Sequence, residues 1–204
     1  MHHVTGLIAM LAKGGPVMVP LFACSVLSLA VIIERWGFWW RRRDVVATER
    51  ALRLVAHAKF DEAAEIAGAS RAPGARVIAA GLRHRDAGAA QAMELVAHEE
   101  LGLARRYLPV LDTVITLSPL LGLLGTVTGM IAAFGVLSTS GMNQPNAITG
   151  GVAEALIATA VGLGIAIVTL VPYNYFSAKV ERAAEAMERC GSRIEQALSE
   201  HEIP

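Results

Sequence analysis

Three long windows with almost no charge decide most of what this chain can fold into. Residues 16–33 and 113–151 carry no charged side chain, and residues 152–173 carry only Glu154. An α-helix needs about 20 apolar residues to cross roughly 30 Å of hydrocarbon, at about 1.5 Å per residue. The overall composition agrees, since 54% of the residues are hydrophobic and only 18% are charged. We therefore predict an all-α membrane protein with three transmembrane helices.

The windows set the expected order of segments. The first window is too long for the apolar part of a secretory signal peptide and lacks a small-residue cleavage site, so we expect it to be retained. The predicted segments are a short periplasmic N-terminus (1–15), transmembrane helix 1 (16–35), a cytoplasmic helical loop (36–109), transmembrane helix 2 (110–137), a periplasmic loop (138–150), transmembrane helix 3 (151–175) and a cytoplasmic helical tail (176–204).

The distribution of basic residues predicts the orientation. One basic residue precedes the first span, 13 lie from its last residue, Arg35, to the start of the second, none lies between the second and third, and four follow the third. By the positive-inside rule the loop and the tail are cytoplasmic, and the N-terminus is periplasmic. Trp36, Trp39 and Trp40 beside Arg41–Arg43 fit an interfacial belt on the cytoplasmic side.

The loop and the tail carry helical patterns. Amphipathic, alanine-rich stretches predict helices over 44–57 and 61–68, a helix from the break at 72–74 to Arg83, and another from Ala89 that continues through Arg106 towards the second span. The tail has an apolar stripe that needs partner helices, from this chain or a neighbouring one. Two membrane helices should therefore extend into a cytoplasmic helical bundle. The stripe consists of Val180, Ala184, Met187, Cys190 or Gly191, Ile194 and Leu198. Cys24 lies in an apolar window and Cys190 in the tail, so no disulfide between them is expected.

Small residues form a stripe on each of the last two spans. At 100° per residue the first stripe occupies one narrow face of its helix, and the spacing from Gly125 to Gly129 allows close helix approach. Both stripes are explained by helix packing or by a pore-facing surface. They comprise Pro119, Gly122, Thr126, Gly129 and Ala133 on the second span, and Ala155, Thr159, Gly162, Ala166 and Thr169 on the third.

The polar residues in these spans allow two interpretations each. Thr126 and Thr159 lie at matched depth, roughly 3–5 Å outward of the membrane midplane. They could line a polar path, or each could bond the carbonyl four residues back. Glu154 is costly if it is charged and faces lipid, but it also suits the first turn of a helix. It points about 140° away from Thr159, which suggests a different surface. Asp112 is explained as an interfacial acid or as a proton-entry group.

The stretches Ser118-Pro-Leu-Leu-Gly-Leu-Leu-Gly-Thr-Val-Thr-Gly-Met-Ile-Ala-Ala-Phe134 and Ala153-Glu-Ala-Leu-Ile-Ala-Thr-Ala-Val-Gly-Leu163, followed by Pro172-Tyr-Asn174, resemble the ExbB/TolQ branch of the MotA/TolQ/ExbB proton channel family, and ExbB most. The close resemblance covers roughly residues 108–182. It places the family's pore threonines on Thr126 and Thr159 and its glutamate on Glu154. For these three positions it favours a role in a proton pathway. MotA has four spans, so a flagellar stator subunit is disfavoured.

The resemblance also implies a setting. It implies a bacterial inner-membrane homo-oligomer, a pentamer in this branch, around the single-span helices of an ExbD- or TolR-like partner that carries the proton-binding aspartate. A TonB- or TolA-like protein would receive the force, and protons would be the transported ion, with no cofactor. The small residues Pro119, Gly122, Gly125, Gly129, Gly162 and Ala166 would form the helix-packing and pore face.

Two other classes of function compete with this one. An enzyme is disfavoured, because His98-Glu99 starts a zinc-protease pattern but Gly102 stands where its second histidine belongs. No metal site, nucleotide loop or nucleic-acid partner is expected. A non-conducting membrane scaffold would explain the glycine stripes without any proton.

Overall fold

The computed structural model describes residues 14–140 and 145–201, with side chains described outside 137–140, 145–148 and 201. This part of the chain contains seven α-helices and no β-strand, which confirms the all-α prediction. The helices are α1 Met18–Trp40, α2 Val45–Ala56, α3 Phe60–Ala69, α4 Pro73–Arg83, α5 Ala89–Arg105, α6 Leu108–Ser140 and α7 Pro145–His201.

Three of these helices are membrane-crossing candidates. Stretches of α1, α6 and α7 are long and apolar enough to span a bilayer, which confirms the prediction of three spans. Many of their large apolar side chains lie exposed on the single chain, including Phe22, Leu123 and Ile167. Such side chains require lipid or other protein around them.

The chain divides into two compact units. The span unit comprises residues up to 33 together with 107–174, and the loop–tail unit comprises 34–106 together with the residues from 175 onwards. In the span unit, α1 buries one face, with Leu21, Cys24, Ser28 and Val31 recurring at helical spacing after the buried Val17. This period of three and four residues is that of a helix with one packed face.

The loop–tail unit has its own apolar core. Val55 of α2, Ile78 of α4, Met93 of α5 and Ile194 of α7 are all buried in it. Residues of the predicted tail stripe therefore pack against loop helices of the same chain, which confirms that the stripe has partner helices. The core consists of Ala51, Val55, Ala63, Ala67, Ala72, Ala75, Val77, Ile78, Ala79, Leu82, Met93, Met187, Cys190 and Ile194.

Local sequence explains where the loop helices begin and end. The carboxylate of Asp44 accepts a hydrogen bond of 3.1 Å from the amide of Ala47 and so caps α2. Pro73 is the first residue of α4, where its missing N–H costs nothing. Gly88 precedes α5 with a φ of 81°, a conformation that glycine adopts without strain. These features confirm the predicted loop helices.

The expected continuity from α5 into the second span is wrong. Helix α5 ends at Arg105, and Tyr107 has a φ of 67° before α6 begins at Leu108. Pro109 explains the interruption, because it has no N–H to donate to the carbonyl of Arg105 and its ring would clash there. As the second residue of α6, Pro109 lies where a proline is tolerated.

Buried ion pairs join the segments of the loop–tail unit. Glu100 of α5 is buried and forms salt bridges with Arg42 and with Arg76 of α4. Arg35 of α1 is also buried, and its guanidinium donates hydrogen bonds of 2.9 and 3.4 Å to the carbonyls of Leu103 and Ala104. These carbonyls lie in the last turn of α5, where helix carbonyls need external donors.

Candidate functional site

Helices α6 and α7 approach each other closely along their small residues. A Cβ atom at Gly125 would lie 2.5 Å from Cβ of Ala158, and one at Gly129 would lie 3.0 Å from Cβ of Ala155. A Cβ at Gly122 would lie 3.0 Å from the carbonyl oxygen of Ala158. These three glycines of α6 therefore face α7 directly, and larger side chains there would push the two helices apart.

Helix α7 contributes its own glycine to this contact between α6 and α7, which we call the seam. A Cβ at Gly162 would lie 2.4 Å from the carbonyl oxygen of Ser118 and 3.2 Å from Cα of Gly122. Ala166 is buried further along α7, whereas Pro119 is half-buried within α6. The structure thus places the predicted small residues at or beside an α6–α7 seam within one chain.

Thr159 bridges the two helices. Its hydroxyl donates a hydrogen bond of 2.9 Å to the carbonyl oxygen of Gly122. This bond goes to the neighbouring helix and not to the carbonyl four residues back, which was one of the two arrangements considered from the sequence. The absence of a side chain at Gly122 gives the hydroxyl access to that carbonyl. Thr159 is therefore a half-buried polar group that crosses the seam.

Thr126 satisfies its hydroxyl within its own helix. The hydroxyl donates a hydrogen bond of 2.6 Å to the carbonyl of Leu123, three residues back. Thr126 is half-buried one turn beyond Gly122, beside an open groove that it lines with Val127, Met130, Ile131 and Phe134. Both threonines therefore lie on the α6–α7 pair within about one helical turn of each other in depth.

Glu154 faces the turn that leads into α1. A Cβ at Gly15 would lie only 1.7 Å from Oε1 of Glu154, and Gly15 has a φ of 71°. Only glycine meets both conditions, since an L side chain would be strained and would overlap the carboxylate. The structure therefore places Glu154 beside the turn at Gly15. Asp112, in contrast, is exposed near the start of α6.

Several residues of the site were missed from the sequence. Ala158 is fully buried in the seam, and Ser118 supplies the carbonyl that approaches Gly162. Counting small residues at every third and fourth position of α7 would have found Ala158 beside Thr159. Gly15 carries no such periodic pattern. Within the described residues, no group of three or more His, Cys, Asp and Glu side chains is arranged to hold a metal ion.

Comparisons with known proteins agree on one family. Residues 69–189 match the model of the MotA/TolQ/ExbB proton channel family. The chain is 35% identical over 195 residues to a Synechocystis sp. protein called biopolymer transport protein ExbB-like 3, which covers 89% of this chain and 90% of the relative. It is 41% identical over 93 residues to the Tol-Pal system protein TolQ of Haemophilus influenzae, covering 46% of this chain and 41% of the relative.

A biopolymer transport protein ExbB of Xanthomonas campestris is 43% identical to the chain over 68 residues, which covers 33% of this chain and 27% of the relative. The matched region of the family model contains α6 and the seam of α7, together with Thr126, Glu154 and Thr159. The candidate residues therefore lie inside the part of the chain that the family shares.

Proposed function

The chain belongs to the MotA/TolQ/ExbB proton channel family, and from this premise we propose that it is a proton-channel subunit of an energy-transducing complex in the bacterial inner membrane. The complex is of the ExbB–ExbD–TonB type, in which proton-motive force drives import across the outer membrane. The N-terminus is periplasmic, and the loop and the tail are cytoplasmic, as the distribution of basic residues predicts.

One observation carries the proposal. The hydroxyl of Thr159 crosses to the backbone of α6 at Gly122, and Thr126 lies one turn away on the same helix pair. Exposed apolar side chains such as Leu123, Val127 and Phe134 surround this polar strip. A polar strip on an otherwise apolar surface is costly against lipid, so the strip faces the inside of an assembly.

The proposed roles follow from these positions. Thr126 and Thr159 line the proton path, where their hydroxyls can exchange bonds between backbone carbonyls and water. Glu154 forms a second wall of the path near the turn at Gly15. Pro119, Gly122, Gly125, Gly129, Gly162 and Ala166 keep α6 and α7 close enough to hold the threonines in place.

The proposed partners follow from the family. Its members imply that the group that binds and releases protons is an aspartate of another chain, and the windows 113–151 and 152–173 of this chain contain no aspartate. We assign it to an ExbD- or TolR-like protein with one span, enclosed by a homo-oligomer of this chain, a pentamer. A TonB- or TolA-like protein then transmits the force.

The test uses near-isosteric changes of the two threonines and a truncation of Glu154. Thr126→Val, Thr159→Val and Glu154→Ala variants are expressed with an ExbD-like partner in a strain that lacks its own ExbB. We expect the complex to assemble and TonB-dependent uptake to fall by at least tenfold, because a methyl group cannot take part in a hydrogen-bonded proton path.

Thr128→Val is the matched control. Thr128 is exposed on the same helix, and its hydroxyl donates hydrogen bonds of 3.0 and 3.2 Å to the carbonyls of Leu124 and Gly125. This variant should keep normal uptake. Assembled Thr126 and Thr159 variants with undiminished uptake would instead support a non-conducting scaffold.

A TolQ-like role in a Tol-Pal envelope-maintenance motor is the second candidate. The 41% identity to TolQ over 93 residues favours it. Complementation separates the two: rescue of iron–siderophore uptake in a strain without ExbB supports the first, whereas rescue of detergent resistance in a strain without TolQ supports the second.

A further inference from the structure

A basic pocket lies within the loop–tail unit, close in sequence to the ends of two membrane spans. Its volume is about 280 Å³. It is formed by the end of α1, the start of α2, the start of α4 and the part of α7 that follows the third span. We call it the basic pocket, and its lining comprises Trp39, Arg42, Arg43, Val45, Thr48, Ala72, Pro73, Gly74, Lys179, Arg182, Ala183 and Ala186.

The charge of this lining has one sign. Four of the lining residues are cationic, and none is an aspartate or a glutamate. Arg42 pairs with Glu100, but the same carboxylate also pairs with Arg76, so that cluster retains a positive charge. The carboxylate of Asp44, next to the pocket in sequence, already accepts hydrogen bonds from Ala47 and Ser70.

Aromatic rings, rather than carboxylates, accompany two of the cations. The ammonium group of Lys179 lies 5.6 Å from the ring centre of Trp39 and 5.1 Å from that of Tyr175. The guanidinium of Arg43 lies 5.3 Å from the ring centre of Trp40. Cation–π contacts orient a cation without neutralising it. Lys179 and Arg43 therefore keep their positive charge where they line the basic pocket.

The rest of the pocket lining is mostly apolar. The lining residues also lie close in sequence to the predicted ends of membrane spans. Trp39, Val45, Pro73 and the alanines offer apolar surface beside the cations. Trp39 lies at the end of α1, and Lys179 follows the predicted third span by four residues. Tryptophan and juxtamembrane basic residues characterise the headgroup level of a bilayer, where cations attract anionic lipids.

We propose that the basic pocket binds the phosphate of an anionic phospholipid headgroup, such as phosphatidylglycerol. The cations receive the phosphate, and the apolar walls receive the glycerol and the first carbons of the acyl chains. The lipid would tie the end of the first span, the start of α4 and the tail together at one point. This site is separate from the threonines of the proposed proton path and does not depend on them.

The chain provides its own reporter for a test. Its three tryptophans, Trp36, Trp39 and Trp40, all lie at this end of α1. The purified full chain in a neutral detergent is titrated with brominated phosphatidylglycerol or brominated phosphatidylcholine, and quenching of tryptophan fluorescence gives the relative affinity. Each cation near an anionic surface contributes roughly fivefold in affinity.

Two matched double variants locate the effect. Arg43→Gln/Arg182→Gln removes two lining cations and leaves the Arg42–Glu100 pair intact. Arg41→Gln/Arg50→Gln removes two exposed cations that are close in sequence but do not line the pocket. We expect the first variant to lose about 30-fold of the preference for phosphatidylglycerol and the second to lose less than about threefold.

Three outcomes would overturn the proposal. The wild type could show no preference between the two lipids. The two double variants could lose the preference equally, which would indicate diffuse surface charge rather than a pocket. Inorganic phosphate at matched ionic strength could displace the brominated lipid completely, which would make a soluble anion the occupant.

Discussion

At the scale of single residues, the span unit depends on positions where no side chain fits. Gly162 lies against backbone atoms of α6, namely the carbonyl oxygen of Ser118 and Cα of Gly122. Backbone atoms cannot move aside as the end of a flexible side chain can. The missing side chains at Gly122 and Gly162 together let the two helices come close enough for the hydroxyl of Thr159 to reach the carbonyl of Gly122.

Gly162→Ala should therefore open the seam. We expect the free energy of unfolding to fall by about 1–3 kcal/mol, the usual cost of overpacking. Gly164→Ala on the same helix is the control, since a Cβ there meets nothing within 4 Å and the change should be neutral or slightly stabilising. Thermal unfolding of the detergent-solubilised protein measures both. Equal midpoints for the two variants would contradict the close approach of α6 and α7.

Cys190 offers a second prediction at this scale. It is buried in the core of the loop–tail unit, and burial raises the pKa of its thiol despite the nearby Arg189 and Arg193. A raised pKa means that the reactive thiolate forms only at higher pH than in an exposed cysteine. Burial limits access of a reagent as well.

We therefore expect alkylation of Cys190 by iodoacetamide at pH 7.5 to be at least tenfold slower than that of an exposed thiol, in a Cys24→Ser background. Ser192→Cys combined with Cys190→Ser provides the reference, because Ser192 is exposed on the same helix. The rate at Cys190 should rise with pH and on denaturation. Equal rates for the two native-state thiols would contradict the packing of α7 described above.

At the scale of elements, the end of α2 departs from the local chemistry that helix ends prefer. Helix α2 ends in a Schellman motif, in which the amides of Ala58 and Lys59 donate hydrogen bonds of 3.0 Å to the carbonyls of Val55 and Leu54. The left-handed position of this motif is occupied by Ala58, with a φ of 56°. Glycine is the residue that adopts this conformation without steric cost.

Ala58→Gly should therefore stabilise the protein, by about 1 kcal/mol. Ala56→Gly, two residues earlier at the last residue of α2, is the matched control, because glycine there costs the helix up to about 0.5–1 kcal/mol. Both side chains are exposed, so neither change removes core packing. The thermal midpoints should move in opposite directions, and a fall for both variants would contradict the motif.

At the scale of the whole molecule, the loop–tail unit is held by a buried carboxylate as well as by its apolar core. Glu100 of α5 contacts arginines on two other segments, Arg42 after α1 and Arg76 on α4. A buried ion pair contributes little compared with an apolar alternative, but removal of one partner leaves an uncompensated charge. Glu100 thus fixes which segments lie together.

Glu100→Ala should lower the free energy of unfolding by about 3 kcal/mol, the low end for a buried pair, because Arg76 remains partly exposed. Glu99→Ala, at the exposed neighbouring position, should change it by less than about 0.5 kcal/mol. Denaturant titration of the detergent-solubilised chain compares them. A tolerated Glu100→Ala would show that the two salt bridges do not organise this unit.

The sequence by itself determined the elements of this protein. Three apolar windows, the break at 72–74, the turn before Ala89 and the apolar stripe of the tail are local patterns, because bilayer thickness and helical period act on neighbours in the chain. The end of α5 at Arg105 could also have been predicted from Pro109, since a proline removes one helical hydrogen bond and crowds the preceding turn, which kinks or breaks a helix.

Only the tertiary structure decided which residues meet. Thr159 bonds Gly122, Glu154 lies against Gly15, and Glu100 pairs with Arg42 and Arg76. Each partner is at least 24 residues away, so no local period relates the two. From the sequence, the hydroxyl of Thr159 was expected to bond its own helix or to line a polar path. In the structure it bonds the carbonyl of Gly122 on the neighbouring helix, because glycine leaves that backbone open.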